Sequence, residues 1–441
     1  MKRRSVLLSR FRSFLSLKST LANNTAWMLA GQGSKLLIQA LYFIVIARSL
    51  GAQNYGAFVG VVGFVGVLMP FCTMGSGYLL IKNVSRNKDQ FAENWGNALS
   101  TTFLSSLALF GVVVLISHFL LPADISLKLI MLVAASDLFG NGITQICCQA
   151  FMAFERMKWT ASISALLSAL RLVAAVILVA TRRNPTALDW GELYFASTTI
   201  VTLLALVLVL MKLGTPVFGF TIRATEIREG LYFSFSASVQ TIYNDIDKAM
   251  LARLSTLEAT GIYAAAYRIM DVSLIPVSAV LTAAYPKFFR LGVDGIQATL
   301  RYAKPLMYRA LAYASLVAVG LLISAPIVPH ILGMEYRLTA EALCWLAVLP
   351  LIKAAHFFLG DALTGAGYQG LRTAIGSGVA AFNVSINMWI IPKYSWRGAA
   401  VSSIASDALL LALVATGVFV LYRRSQHLAP QTEAFEARAR V

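Results

Sequence analysis

Apolar runs of roughly 20 residues recur along the chain, each closed by a charged or Gly/Pro-rich break, and that is the length a helix needs to cross a hydrocarbon core about 30 Å thick. The pattern predicts spans near 27–48, 55–80, 97–121, 127–150, 161–181, 191–211, 230–252, 260–285, 305–329, 340–364, 373–391 and 398–421. These are the about 12 transmembrane helices of an all-α integral membrane protein. An even number of crossings leaves both termini on one side, and no loop is long enough for a sizeable soluble domain.

Twelve spans invite a search for two halves. IARSLGAQNYGAF (46–58) can be laid over LARLSTLEATGIY (251–263) at a constant offset of 205, where Ala47, Arg48 and Gly56 meet the identical Ala252, Arg253 and Gly261, and Phe58 meets Tyr263. The offset corresponds to six spans, so the halves share one orientation. They are expected to be two six-helix lobes related by a pseudo-twofold along the membrane normal. The expected division is a basic segment 1–24, an N-terminal lobe 25–220, a C-terminal lobe 221–421 and a tail 422–441.

An ionised side chain at mid-bilayer costs about 2.5–3.5 kcal/mol on insertion scales, so polar residues within spans map the protein interior or a watery cavity. In span 1, Gln32, Lys35, Gln39 and Tyr42 are spaced by 3, 4 and 3, which places them on one helix face. Moving by 205 lands on Ala237, Gln240, Asn244 and Asp247 in span 7. The segment YNDIDK (243–248), which interrupts that span, therefore belongs to a second polar stripe. Within it Asp245 and Lys248 are three apart and can pair.

Further polar residues stand inside spans: Asp137 in span 4, Arg171 with Ser164 and Ser168 in span 5, Arg268 with Asp271 three residues on in span 8, Lys353 in span 10, Asn383 and Asn387 in span 11, and Asp407 in span 12. Lys35, Arg171 and Lys353 have no acid within one turn on their own helices. With Gln32, Gln39, Gln240, Asn244, Asn383 and Asn387 they are expected to line a cavity suited to an anionic head group, such as a phosphate or an acidic sugar. Asp247, Asp245, Lys248, Arg268, Asp271, Asp137 and Asp407 are the candidates for gating or ion coupling. For Asp247 two roles stay open, an ion-pair partner of Arg268 at a gate or a proton or sodium site. Buried structural pairing is the competing account of Asp245–Lys248 and Arg268–Asp271.

Composition agrees with the pattern, with 58% hydrophobic and 13% charged residues and a mean hydropathy of +0.72. The net charge of +17 would suit nucleic acid, but outside the spans 23 Lys and Arg lie on the side of the two tails and 8 on the other. That bias puts both termini in the cytoplasm and excludes nucleic acid as the partner the charge serves. The first 20 residues carry six cations among Leu and Phe without a small-residue cleavage site, an interfacial segment rather than a cleavable signal. The four cysteines lie within apolar runs without a C-x-x-C pair and the four histidines are scattered, so neither a disulfide framework nor a metal site is expected, and the histidines are taken as structural. No cofactor is expected. A phosphate-binding loop motif is missing and the cytoplasmic loops are short, which argues against ATP and leaves an H+ or Na+ gradient as the candidate driving force. The longest outer loop, 326–339, is too short for the presented acid or base cluster of a membrane glycosyltransferase or polymerase.

Four segments, ARSLGAQNYGAF (47–58), MGSGYLLIKNVSR (74–86), YNDIDKAMLARLSTLEATGIYAAAYRI (243–269) and NVSINMWIIPKYSWRGAAVSSIASD (383–407), resemble the polysaccharide, or O-antigen, flippase family of the multidrug/oligosaccharidyl-lipid/polysaccharide exporter superfamily. The resemblance runs from residue 24 to 421, and YNDIDK falls on the family's Asp-Lys pattern. Tyr394-Ser-Trp396 departs from the Gly-containing turn common in the family. What the resemblance implies is two six-helix lobes around a central cavity that opens alternately to the two membrane faces. It further implies an undecaprenyl-pyrophosphate-linked oligosaccharide as cargo, moved from the inner to the outer leaflet of the bacterial inner membrane for O-antigen, capsule or exopolysaccharide synthesis. The implied partners are that polyprenyl-pyrophosphate-linked oligosaccharide, membrane lipids, and the polysaccharide polymerase and chain-length machinery. A drug/cation antiporter of the same superfamily is the alternative, and its site would be expected to show carboxylates more prominently than amines.

Overall fold

The computed structural model describes residues 38–218 and 224–439, and every regular element among them is helical. Ile38–Arg86 is one apolar run of 49 residues, which at the helical rise is about 75 Å long, more than two hydrocarbon cores. It must therefore be broken. The first break is Gly51, with φ 70°, a left-handed conformation that a Cβ would penalise. Gly51 separates α1 (38–50) from α2 (52–72). The Ala52 N–H at the start of α2 is satisfied from far along the chain, donating to Glu335 Oε2 at 3.2 Å. A second break at Met74 and Gly75 (φ 43° and 71°) precedes α3 (Ser76–Arg86).

There follow α4 (Phe91–Leu120), α5 (Leu127–Ala153), α6 (Met157–Thr181), α7 (Ala187–Lys212), α8 (Ala224–Leu254), α9 (Leu257–Ser273), α10 (Ile275–Gly292), α11 (Ile296–Ser324), α12 (Arg337–Leu346) and α13 (Leu349–Gly365). The last run, Gln369–Gln426, divides at Ser395, whose φ is 53°, into α14 (369–394) and α15 (396–426). Several starts are written into the sequence: Ser126 and Thr256 accept backbone N–H groups of α5 and α9, and Thr186 with Asp189 forms a capping box on α7.

Two expected spans are bent rather than straight. The turn from α9 to α10 is 48° and that from Met334–Leu346 to α13 is 45°. Each second segment opens with a proline, Pro276 or Pro350, which has no N–H for the carbonyl four residues back. Among the described residues, seven helices and these two bent pairs are long and apolar enough to cross a membrane. Gly51 and Ser395 divide the two long runs where expected spans 1 and 2 and spans 11 and 12 meet, and α8, which its polar residues keep below that standard, covers expected span 7; residues 27–37 of expected span 1 lie outside the described residues.

The chain packs as two compact units. Of the described residues, one takes in 38–50, Val65–Phe119 and those within Ala123–Ser238; the other takes in Gly51–Phe64, Leu120–Pro122 and 239–439. The first buries Trp95, Phe151 and Trp190, and the second Tyr263, Phe288 and Phe358. Leu115, Phe119 and Met211 of the first unit and Leu316 and Ile323 of the second are each more than 70% exposed, apolar surface that lipid rather than water must cover. In the second unit the two glycines matched by the repeat meet. A Cβ on Gly56 would strike the Leu257 carbonyl and one on Gly261 the Ala52 carbonyl, so both glycines are needed for this backbone-to-backbone crossing.

Candidate functional site: two buried ion clusters

In the first unit, Asp137 lies in a π-helical stretch of α5, Ala135–Asn141. Such a stretch adds a residue to the turn and redirects its side chains, a feature common at functional sites. Asp137 is buried and accepts from Tyr194 Oη at 2.8 Å and from Asn141 Nδ2 at 2.7 Å. On α6 the half-buried Arg171 lays its guanidinium over the Tyr194 ring, 4.1 Å from the centroid, and its Nη2 lies 3.4 Å from Thr198 Oγ1. Tyr42 of α1 and the charge of Asp137 act electrostatically on Arg171. Tyr194 is thus shared, its hydroxyl by the acid and its face by the cation. The Nε of Arg171 is buried without a hydrogen-bond partner among the described residues.

The second unit builds its cluster from four helices. Lys353 of α13 is 3% exposed, with Nζ 3.4 Å from Asp407 Oδ2 on α15, itself 1% exposed. His356, one turn on from Lys353, places Nε2 2.9 Å from Asp407 Oδ1, and Tyr243 of α8 donates to that oxygen too. Lys353 also stands over the Tyr243 and Tyr267 rings, at 5.1 and 5.8 Å, and donates to Asn244 Oδ1 at 3.5 Å. A neighbouring set centres on Asp247, which accepts from Tyr263 and from Ser403 at 3.2 Å. Lys248 pairs with Asp245 and lies 4.4 Å from the Tyr267 ring centroid. Asp271 is exposed, and the charges of Lys248 and Lys353 bear on it more than that of Arg268.

Several expectations change when the helices are assembled. Arg171 and Lys353, without an acid within one turn on their own helices, have Asp137 and Asp407 of other helices acting on them, Asp407 as an ion-pair partner. The span 7 stripe does not face one environment: Gln240 is exposed, Asn244 half-buried and Asp247 buried. The reason is that α8 packs Asp247 against Tyr263 and Ser403. Asn383 and Asn387, expected to line a cavity, are fully buried in this structure. The Asn383 amide donates to Ser406, the Asn387 amide donates to Asn383 Oδ1, and Ser402 donates to Asn387 Oδ1, so they join α14 to α15. Gln39 is half-buried on α1. Gln32 and Lys35 lie outside the described residues, as does the basic segment 1–24. His356, Tyr194, Tyr263 and Tyr267 escaped the sequence reading; the one available signal was the placement of His356 three residues after Lys353.

Comparison with known proteins adds four findings. Residues 21–292 match the family described as polysaccharide biosynthesis protein. Over 406 residues, 90% of this chain and 96% of the other, the sequence is 20% identical to a protein of Escherichia coli (strain K12) described as an O-antigen transporter. Among solved structures the chain is similar to the lipid II flippase MurJ in an inward closed conformation, with a TM-score of 0.70 at 11% identity over 90% of this chain and 87% of that one. It is also similar to an inward-facing multidrug resistance MATE family transporter of the MOP superfamily, with a TM-score of 0.66 at 13% identity over 87% and 96%. At these identities the structural likeness establishes a shared fold.

Proposed function

Because the chain belongs to the polysaccharide biosynthesis protein family, we propose that it flips a lipid-linked oligosaccharide, carried on a polyprenyl pyrophosphate such as undecaprenyl pyrophosphate, from the inner to the outer leaflet of a bacterial inner membrane. It is a membrane transporter rather than an enzyme. Both termini are assigned to the cytoplasm on the bias of Lys and Arg between alternate loops. Membrane lipids and the polymerase and chain-length machinery that use the flipped product are the further partners of this reading.

The observation that carries the proposal is the pair of clusters holding Arg171 and Lys353 within spans, each facing tyrosines and a carboxylate. A sugar pyrophosphate cannot enter hydrocarbon unless its lost water contacts are replaced. Arg and Lys supply charge-assisted donors to phosphate oxygens, and tyrosine rings supply faces for sugars. In the carrier without cargo the internal carboxylates neutralise these cations, which would otherwise be costly at membrane depth. Gln39, Gln240 and Asn244 are assigned to the cargo path as well, and Gln32 and Lys35, outside the described residues, are assigned to it on their helical spacing with Gln39 alone. Alternating access moves the head group through the protein while the lipid tail stays in the bilayer. Coupling to a proton or sodium gradient is assigned to Asp137, Asp245, Asp247 and Asp407.

The test is flipping of a fluorescent lipid-linked oligosaccharide in proteoliposomes. Transport is expected to follow an imposed H+ or Na+ gradient and Asp247→Asn to remove that dependence. Indifference to every gradient would end the coupling proposal, and absence of flipping in the unsubstituted chain would end the cargo proposal.

A further inference from the structure

His356 and Lys353 lie one turn apart on α13 and reach the same carboxylate, with His356 Nε2 2.9 Å from Asp407 Oδ1 and Lys353 Nζ 3.4 Å from Oδ2. The three side chains are 5%, 3% and 2% exposed, respectively for His356, Lys353 and Asp407. The Nδ1 of His356 makes no hydrogen bond among the described residues. One carboxylate therefore serves two groups that can each be positive. A site this dry readily balances one such charge but not two.

The surrounding charges are few. Arg372 at the start of α14 and Lys353 itself are the positive charges that bear on His356, and Tyr243 of α8 faces it edge-on, 6.4 Å between centroids. Asp247 and Asp245 of α8 and Asp271 of α9 attract Lys353, while Lys248 opposes it. The rings of Tyr243 and Tyr267 flank its ammonium. From α10 and α11, Lys287, Arg290, Arg301, Lys304 and Arg309 make no ion pair or hydrogen bond with His356 or Asp407.

We propose that His356 and Asp407 form a proton-binding site, filled when Lys353 leaves Asp407 for an anionic group of the cargo. The proton comes from bulk solvent as hydronium, which is left as water, and forms the Nδ1–H bond of His356. The resulting imidazolium, through its Nε2–H, then balances Asp407 in place of the ammonium. The cluster keeps one negative and one positive charge before and after, so no uncompensated charge is stranded. The freed ammonium is neutralised by the anion it captures. Proton uptake and anion binding therefore assist one another, and by linkage each raises the affinity for the other by the same factor. The anion step rests on the cargo proposed above; the proton site does not.

The experiment uses the full chain in nanodiscs, labelled with 15N-histidine. The chain has four histidines, and His356→Gln identifies the relevant signal. Lys353→Gln is expected to hold His356 as imidazolium to a pH about one to two units higher than in the unsubstituted chain, a roughly 10- to 100-fold change in proton affinity. Lys353→Arg, which keeps the cation, is expected to leave the titration in place. Inorganic pyrophosphate added to the unsubstituted chain is expected to move the signal as Lys353→Gln does. A titration unmoved by Lys353→Gln, or moved equally by Lys353→Arg, overturns the site. Should Lys353→Gln fail to fold, the pyrophosphate titration decides, and an unchanged His356 signal overturns the proposal. A His356 that responds as expected in a chain that flips no lipid-linked oligosaccharide upholds the proton site and overturns the cargo reading.

Discussion

Arg171 and Lys353 are both cations inside spans beside a carboxylate and tyrosines, yet their surroundings have different consequences. The guanidinium of Arg171 spreads over the Tyr194 ring and shares that tyrosine with Asp137. Arginine stays charged in proteins, so the first unit holds a fixed cation, with one donor still unpartnered among the described residues. Lys353 is a compact ammonium whose carboxylate partner also touches His356 and Tyr243. Histidine is the side chain that most readily changes charge near neutral pH, so the second unit can exchange one cation for another. The first cluster reads as an anchor and the second as a switch.

The largest effect is expected at the centre of the second cluster. Asp407→Asn strands Lys353 in a buried site, and removing one partner of such a pair costs about 3–5 kcal/mol. It should lower the thermal unfolding midpoint in detergent more than the double replacement Asp407→Leu with Lys353→Met, which removes both charges. Equal losses in single and double variants would break the comparison, because the ion pair would then not be what holds the site. In the first cluster Tyr194→Phe keeps the ring under Arg171 and deletes only the hydroxyl that donates to Asp137. An orphaned buried acceptor costs about 1–3 kcal/mol, and the loss should be smaller than for Asp407→Asn in the same unfolding assay.

Arg171→Lys asks whether the first cluster needs a planar cation or only a charge. A desolvated cation–π contact is worth up to about 2 kcal/mol. We expect export of surface polysaccharide, measured at equal membrane abundance, to fall even though the charge is retained. Full export would make the two cations equivalent and dissolve the contrast. The smallest effect is expected at Lys128–Glu192, an ion pair 2.6 Å long whose side chains are 59% and 45% exposed. Exposed pairs contribute about 0.2–1 kcal/mol, so Lys128→Ala should leave both stability and export nearly unchanged. A large loss there would mean that burial is not what separates the two clusters from ordinary surface pairs.

Much of the fold could be read along the chain because the bilayer imposes a length. Twelve apolar runs emerge from the spacing of charges, and the breaks at Gly51, Pro276 and Pro350 sit at residue types that break helices for steric or hydrogen-bonding reasons. The π-helical stretch around Asp137 could not be read, since nothing in SDLFGN distinguishes it from an ordinary turn of helix. At Ser395 the sequence placed a turn between spans 11 and 12 but not its form, a non-glycine residue with φ 53° that only its packed surroundings can hold.

The candidate residues were legible as a set but not as pairs. Charges inside apolar runs stand out because membrane insertion makes them costly, and Asp137, Arg171, Lys353 and Asp407 were all picked out on that ground. Pairing along one helix follows from spacing, and Asp245 with Lys248 formed as spacing predicts. Pairing between helices does not, because Lys353 and Asp407 are brought together by how α13 and α15 pack. The same holds for Asn383 and Asn387, whose one-helix-face spacing fits a cavity lining or a helix-to-helix seam equally well.

The sequence by itself determined a twelve-span membrane protein with charges placed inside its helices and a repeat that matches Gly56 to Gly261. Hydropathy and spacing are one-dimensional quantities, and those conclusions need nothing more. That the two glycines lie against one another, and that His356 shares a carboxylate with Lys353, was decided only by tertiary structure. Contact between separate helices depends on the rotation and crossing of each about its axis, and helix packing sets both.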